Sequence, residues 1–188
     1  MKLFLGLRND DSLMKAYARG EARAFNELYS RHKDGLYRFI LRASPNQNIA
    51  EDLAQETWAS VIKRASSYEP KGYFKTWLYT VARHKLIDFL RSQSHKIQTQ
   101  VQADSDVDDR AGASHDEAIS ELNVHRLLEK IKQLPAEQRE AFVLKEEGFS
   151  LAEISDITKV EQETVKSRIR YARTRLRNDL GISKEVVS

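Results

Sequence analysis

This sequence predicts an all-α fold: two small helical domains joined by a flexible acidic linker. Three observations carry that expectation. Only three prolines and seven glycines interrupt 188 residues, and β-branched runs are scarce, so the chain reads as helical throughout. Apolar residues recur at helical spacings in two separate blocks. Between the blocks lies a Gln-, Ser- and Asp-rich stretch with almost no large apolar residue.

The first block spans residues 11–94. Phe25, Leu28, Tyr29, Leu36, Phe39 and Ile40 mark a helical stripe, and Pro45 marks a loop from Ser44 to Asn48. Leu53, Thr57, Trp58, Val61 and Ile62 form a second stripe. A turn through Pro70, Lys71 and Gly72 interrupts the pattern. Trp77, Leu78, Val81, Ala82, Leu86, Phe89 and Leu90 then form a third stripe. The linker, 95–118, holds Asp104, Asp106, Asp108 and Asp109. Such a composition cannot bury enough surface to offset the entropy of ordering. The acidic run lacks the turn glycine and terminal glutamate of a calcium loop, so no calcium is expected there.

The second block spans 119–182. Leu122, Leu127, Leu128, Ile131 and Leu134 form one element, ended by Pro135, and Ala141, Phe142, Val143 and Leu144 form another that stops near Gly148. Ser150 followed by Glu153 is a capping box, so a helix begins at Leu151, with Leu151, Ile154 and Ile157 on one side. A short turn through Lys159 to Gln162 leads to a longer helix whose buried stripe is Val165, Ile169, Ala172 and Leu176. Two helices joined by such a turn, the second basic on its outer face, match a helix-turn-helix reader of duplex DNA. Thr164, Lys166, Ser167, Arg170 and Tyr171 are left facing outward near the start of that second helix, where Arg, Lys, Ser and Thr can address base edges. Further cations, Arg168 and Arg173 among them, would fix register on phosphates.

Charge is unevenly distributed. Residues 1–91 carry 16 Lys and Arg against 10 Asp and Glu, and 92–118 carry 2 against 6. Lys166, Arg168, Arg170, Arg173, Arg175 and Arg177 crowd the last long helix. On composition alone, a solvated helix that binds nothing fits as well as a phosphate-binding face. The absence of cysteine excludes disulfides, thiolate metal sites and cysteine nucleophiles. No apolar run reaches the ~18 residues of a membrane span, and Met1 to Leu7 lacks the marks of a secretory signal. His32, His84, His95, His115 and His125 show no metal-ligand spacing, and no glycine-rich phosphate loop or nucleophile elbow is present. Neither a metal, a cofactor nor catalysis is expected.

Three strings resemble a known family. Glu163-Thr-Val-Lys-Ser-Arg-Ile-Arg-Tyr-Ala-Arg-Thr-Arg-Leu-Arg177 is similar to region 4 of sigma-70 family factors. Ala50-Glu-Asp-Leu-Ala-Gln-Glu-Thr-Trp58 resembles the polymerase-binding helix of region 2.2, and Phe74 to Arg91 resembles regions 2.3 and 2.4. Their order is that of extracytoplasmic-function members, which carry only domains two and four.

The resemblance implies partners and roles. Asp52, Gln55, Glu56 and Ala59 lie opposite the Leu53, Trp58, Val61 stripe, and would dock on core RNA polymerase. Tyr68, Tyr73, Phe74, Trp77 and Tyr79 flank the Pro-Lys-Gly turn among Lys71, Lys75 and Arg83, and rings beside cations suit unpaired bases. The implied minus-10 contacts are Tyr68, Lys71, Gly72, Tyr73, Phe74, Lys75 and Arg83, with His84 and Asp88 flanking the strand; Trp77 is expected in the core, and Phe74 fits either place. Thr164, Lys166, Ser167, Arg168, Arg170, Tyr171 and Arg173 would read minus-35 duplex.

Family members are also held by anti-sigma factors, which implies a cytoplasmic protein that such a partner can keep at a membrane without inserting itself. Lys159 stands where the family usually has glycine, His84 where it often has asparagine and Tyr171 where many members have arginine, so no promoter motif transfers. The rival reading is a stand-alone helix-turn-helix regulator, which would bind duplex DNA tightly alone and ignore core polymerase.

Overall fold

Capped, amphipathic helices make up each of two compact units, divided between Thr99 and Gln100. The computed structural model describes residues 8–69, 73–99 and 126–181, with 94–99 as backbone. The acidic stretch from 100 onward, Lys71, Gly72 and Leu122 therefore lie outside the described residues.

In the first unit, the Asn9 side chain accepts from the Ser12 amide at 2.8 Å and opens α1, Asp10–Ala18, with two carboxylates in its first turn. Both features favour the positive end of a helix dipole. The stripe reading passed over this helix. α2, Ala22–Ala43, buries Ala24, Leu28, His32 and Leu36 at intervals of four, then Phe39 and Ile40. Asn46 caps α3, Gln47–Lys63, by accepting from the Ile49 amide at 3.0 Å. That helix buries Leu53, Thr57, Trp58 and Val61 as its pattern predicts, while Ile62 stays exposed. A 3-10 turn, Ala65–Ser67, follows. α4, Phe74–Thr99, runs past the domain limit drawn from composition. α2 packs against α1, α3 and α4, which makes it the centre of the bundle.

The second unit begins its described part with α5 (126–132), followed by α6, Ala136–Glu146, α7, Leu151–Thr158, and α8, Gln162–Leu180. α6, α7 and α8 pack on one another around Ala141, Val143, Leu144, Ile154, Ile157, Val165, Ile169 and Ala172. Phe149, fully buried in the link between α6 and α7, belongs to this core as well. Its neighbour Gly148 takes a positive φ of 88°, which turns the chain at the end of α6.

Among the described residues every regular element is helical, none is long and apolar enough to cross a membrane, and no cluster of three or more His, Asp or Glu could hold a metal ion.

Candidate nucleic-acid interface

The helix-turn-helix is built from local hydrogen bonds. The Ser150 hydroxyl oxygen accepts from the Glu153 amide at 3.2 Å, and the Glu153 carboxylate accepts from the Ser150 amide at 2.8 Å. This is the capping box expected at that position. α7 ends at Lys159, which adopts the left-handed conformation, φ 59° and ψ 40°, while its amide donates to the Ser155 carbonyl at 2.8 Å. The Ser155 hydroxyl then reaches the Val160 carbonyl at 2.6 Å and closes the turn. A lysine therefore does what a glycine would do more cheaply.

On α8, Val165, Ile169, Ala172 and Leu176 face the core. Thr164, Lys166, Arg170, Tyr171 and Arg173 are exposed and Ser167 is half-buried, so the outward face predicted from the stripe is present. The Arg170 guanidinium lies 5.1 Å from the Tyr171 ring centroid, within cation–π range. Arg168 differs. Its side chain is 19% exposed and bonds Glu137 at 2.6 Å, so it ties α8 to α6 instead of projecting outward.

Lys145, Lys166, Arg170, Arg173 and Arg177 surround an open depression of 430 Å³ floored by Leu151 and Ile169. Lys145 extends the basic surface beyond the cations singled out from sequence, and Leu151 is half-buried there.

In the first unit, Asp52, Gln55, Glu56 and Ala59 are all exposed on α3, within roughly 100° of arc. Glu56 pairs with Lys85 of α4 at 3.1 Å. Gln55 and Ala59 also border an open groove of 580 Å³ between α2 and α3, whose wall includes Phe25, Tyr29, Tyr37 and Trp58. Tyr29 meets Trp58 edge-on at 5.0 Å, and Phe25 meets it at 5.8 Å. The sequence stripe placed Phe25 and Tyr29 with the core. Instead Tyr29 is 43% and Ile62 48% exposed, and both line the groove.

The aromatic cluster at the start of α4 is partly as expected. Tyr73 is 70% exposed, His84 and Asp88 are exposed on α4, and Lys75 and Arg83 are half-buried. Phe74 takes the core place of its two alternatives: it is fully buried, its ring packed 5.5 Å from His32 and 5.8 Å from Trp77, away from the surface a strand would meet. Trp77 is the reverse case, half-buried and open on one side where a core position was expected. Tyr79 is core, 1% exposed against Phe39. Tyr68 is half-buried, its ring centroid 5.1 Å from that of Trp77, with its hydroxyl donating to Asp11. Burial, followed by the Asp11 carboxylate, pushes the Tyr68 phenol above its ordinary range.

Known proteins share this arrangement. The Sigma-70 region 2 family profile matches residues 28–96 and the Sigma-70 region 4 profile matches residues 125–176. The chain is 35% identical over 172 residues to RNA polymerase sigma factor CarQ of Myxococcus xanthus, covering 89% of this chain and 95% of that protein. It is 29% identical to ECF RNA polymerase sigma factor SigW of Bacillus subtilis, over 89% of this chain and 94% of that protein. The structure of the sigma factor RpoE in complex with the anti-sigma factor NepR from Bartonella quintana superposes with a TM-score of 0.73 at 26% identity, over 85% of this chain and 98% of that one. CnrH, solved with the cytosolic domain of CnrY, shares the fold at a TM-score of 0.69 and 22% identity, over 93% of this chain and 99% of that one. Two family regions in order, and relatives matched along most of their length, place the chain in the extracytoplasmic-function branch of the sigma-70 family of RNA polymerase sigma factors.

Proposed function

We propose that this chain directs core RNA polymerase to its promoters and starts DNA opening, with the labour divided between the two units. The exposed face of α3, Asp52, Gln55, Glu56 and Ala59, docks on the polymerase, and the aromatic groove beside it widens that contact. Tyr68, Tyr73, Lys75, Arg83, His84 and Asp88 of the first unit, with Trp77 added, receive the melted minus-10 strand; Lys71 and Gly72 retain the roles implied by resemblance. α8 reads minus-35 duplex through Thr164, Lys166, Ser167, Arg170, Tyr171 and Arg173. The observation that carries this reading is that one chain holds two separate units, the first with an exposed polar face on α3 and an exposed aromatic and basic surface at the start of α4, the second with an exposed basic face on α8.

Two readers on one chain gain effective concentration for each other once the first is bound, so neither needs high affinity alone. The solved complex of RpoE with an anti-sigma factor supports an anti-sigma partner for this chain too. A cytoplasmic location, with the chain held at a membrane only through that partner, follows from the same reading.

Run-off transcription with bacterial core polymerase on a library of genomic fragments tests the proposal. Discrete starts that need this protein and share two spaced upstream elements are the expected result. Tight duplex binding without core, and no association with core, would instead establish a stand-alone regulator.

A further inference from the structure

The aromatic rings at the start of α4 are held by α1, a helix with no part in the reading above. Its first turn presents two half-buried carboxylates, and burying such groups is unfavourable unless they are hydrogen-bonded. Both are satisfied at long range. Asp11 accepts from the hydroxyl of Tyr68, 57 positions away. Asp10 accepts from Arg31 at 2.8 Å and contacts His32 Nε2 at 2.7 Å. The His32 ring in turn lies 5.5 Å from the buried ring of Phe74, which touches Tyr68 and Trp77.

Packing alone does not call for these polar ties, since Leu13, Met14 and Ala16 already seat α1 on the bundle. The Asp11 tie leads to Tyr68 and the Asp10–His32 tie to Phe74, the described aromatic residues on either side of exposed Tyr73 in the sequence. Tyr68 and Trp77 meet at 68°, so rotation of a released Tyr68 ring changes the face offered beside Trp77.

We propose that α1 braces the promoter-opening surface: Asp11, through the Tyr68 hydroxyl, and Asp10, through His32 and Phe74, are positioning residues that orient Tyr68 and Trp77 to receive an unpaired base beside Tyr73. The inference rests on the minus-10 assignment made above. Fixing the rings in advance removes the cost of ordering them when the base arrives.

The test uses holoenzyme assembled from the full chain and core polymerase, on promoter DNA carrying 2-aminopurine along the minus-10 strand, whose fluorescence reports unstacking. Asp11→Ala and Tyr68→Phe should each lower the extent of opening about tenfold, the ratio set by one hydrogen bond to a charged acceptor. The double variant should lose no more than either single one. Asp11→Asn, which keeps an acceptor oxygen, should recover most of the loss, and core affinity should not change in any of them. Opening by Asp11→Ala equal to the parent's, additive losses, or a deficit that vanishes at a temperature where the variant is fully folded would each overturn the brace. Tyr73→Ala and Tyr68→Ala separate the two levels of the argument. If both open DNA normally, the minus-10 assignment itself fails; if both are impaired and Asp11→Ala is not, only the brace fails.

Discussion

Lys159→Gly should stabilise the second unit. Lys159 sits at φ 59° and ψ 40°, close to the ideal left-handed geometry, with an exposed side chain that packs against no core. An L-residue there costs about 1–2 kcal/mol from its Cβ. Glycine removes that cost and loses about 0.5–1 kcal/mol through the freedom of the unfolded chain. The expected net gain is about 0.5–1 kcal/mol, or roughly 2–8 °C in Tm for a unit of this size. The hydrogen bonds that close the turn, from the Lys159 amide and the Ser155 hydroxyl, survive the change because neither involves the lysine side chain.

The two units can be followed separately. Both tryptophans, Trp58 and Trp77, lie in the first, so indole fluorescence reports that unit alone while helical circular dichroism reports both. The substitution should raise the dichroism transition of the second unit and leave the fluorescence transition unchanged. Lys159→Val, β-branched at the same φ, should lower it by about 1 kcal/mol or more. An unchanged or lowered dichroism transition in Lys159→Gly would refute the reasoning.

Phe149→Ala empties a fully buried site, should cost the second unit about 3–5 kcal/mol, and should abolish its dichroism transition while the tryptophan transition stays in place. Arg170→Ala should cost about 1–3 kcal/mol of minus-35 binding by holoenzyme and relax its sequence preference, whereas Arg173→Ala should weaken binding across sequences and reduce the slope of log affinity against log salt by about 1. Arg168→Ala should cost less than about 1 kcal/mol of stability and leave that slope nearly unchanged, because its guanidinium is committed to Glu137. Burial alone would raise the Asp10 carboxyl, but hydrogen bonds from His32 and Arg31 outweigh it and hold the group below its ordinary value of 3.8. The stability this supplies is present above pH 3.8 and is lost as pH falls through the folded value. Parent and Asp10→Asn should therefore differ in urea midpoint at neutral pH and converge in acid.

Much of this molecule is legible in its sequence because most elements carry their own periodicity. The α3 and α8 stripes are found where residue spacing puts them, and the Ser150 to Glu153 box marks the start of α7. The misses have physical causes. His32 fills a core position at the α2 spacing, but a histidine is not counted as apolar until its partner, Asp10, is known. α1 is short, and its interest lies in bonds to residues 22 and 57 positions away, which no local pattern reveals. Phe74 and Trp77 exchange expected roles because Phe74 falls at helical spacing from the buried Leu78, Val81 and Ala82, on the stripe itself, while Trp77 lies to one side of it. Arg168 looks like its neighbours in sequence, and only the position of Glu137 on α6 distinguishes it.

The ion pairs on α8 bear on where the free protein spends its time in a cell. Lys166 pairs with Glu163 at 3.4 Å, Arg168 with Glu137 at 2.6 Å and Arg173 with Glu146 at 3.6 Å. A cation that must first leave a carboxylate releases fewer net counterions when it meets a phosphate, and counterion release is what drives indiscriminate attachment to DNA. On the reading proposed above, α8 is thus partly self-shielded, and the chromosome, an enormous excess of wrong sites, should hold it less tightly than a helix whose cations had no carboxylate neighbours.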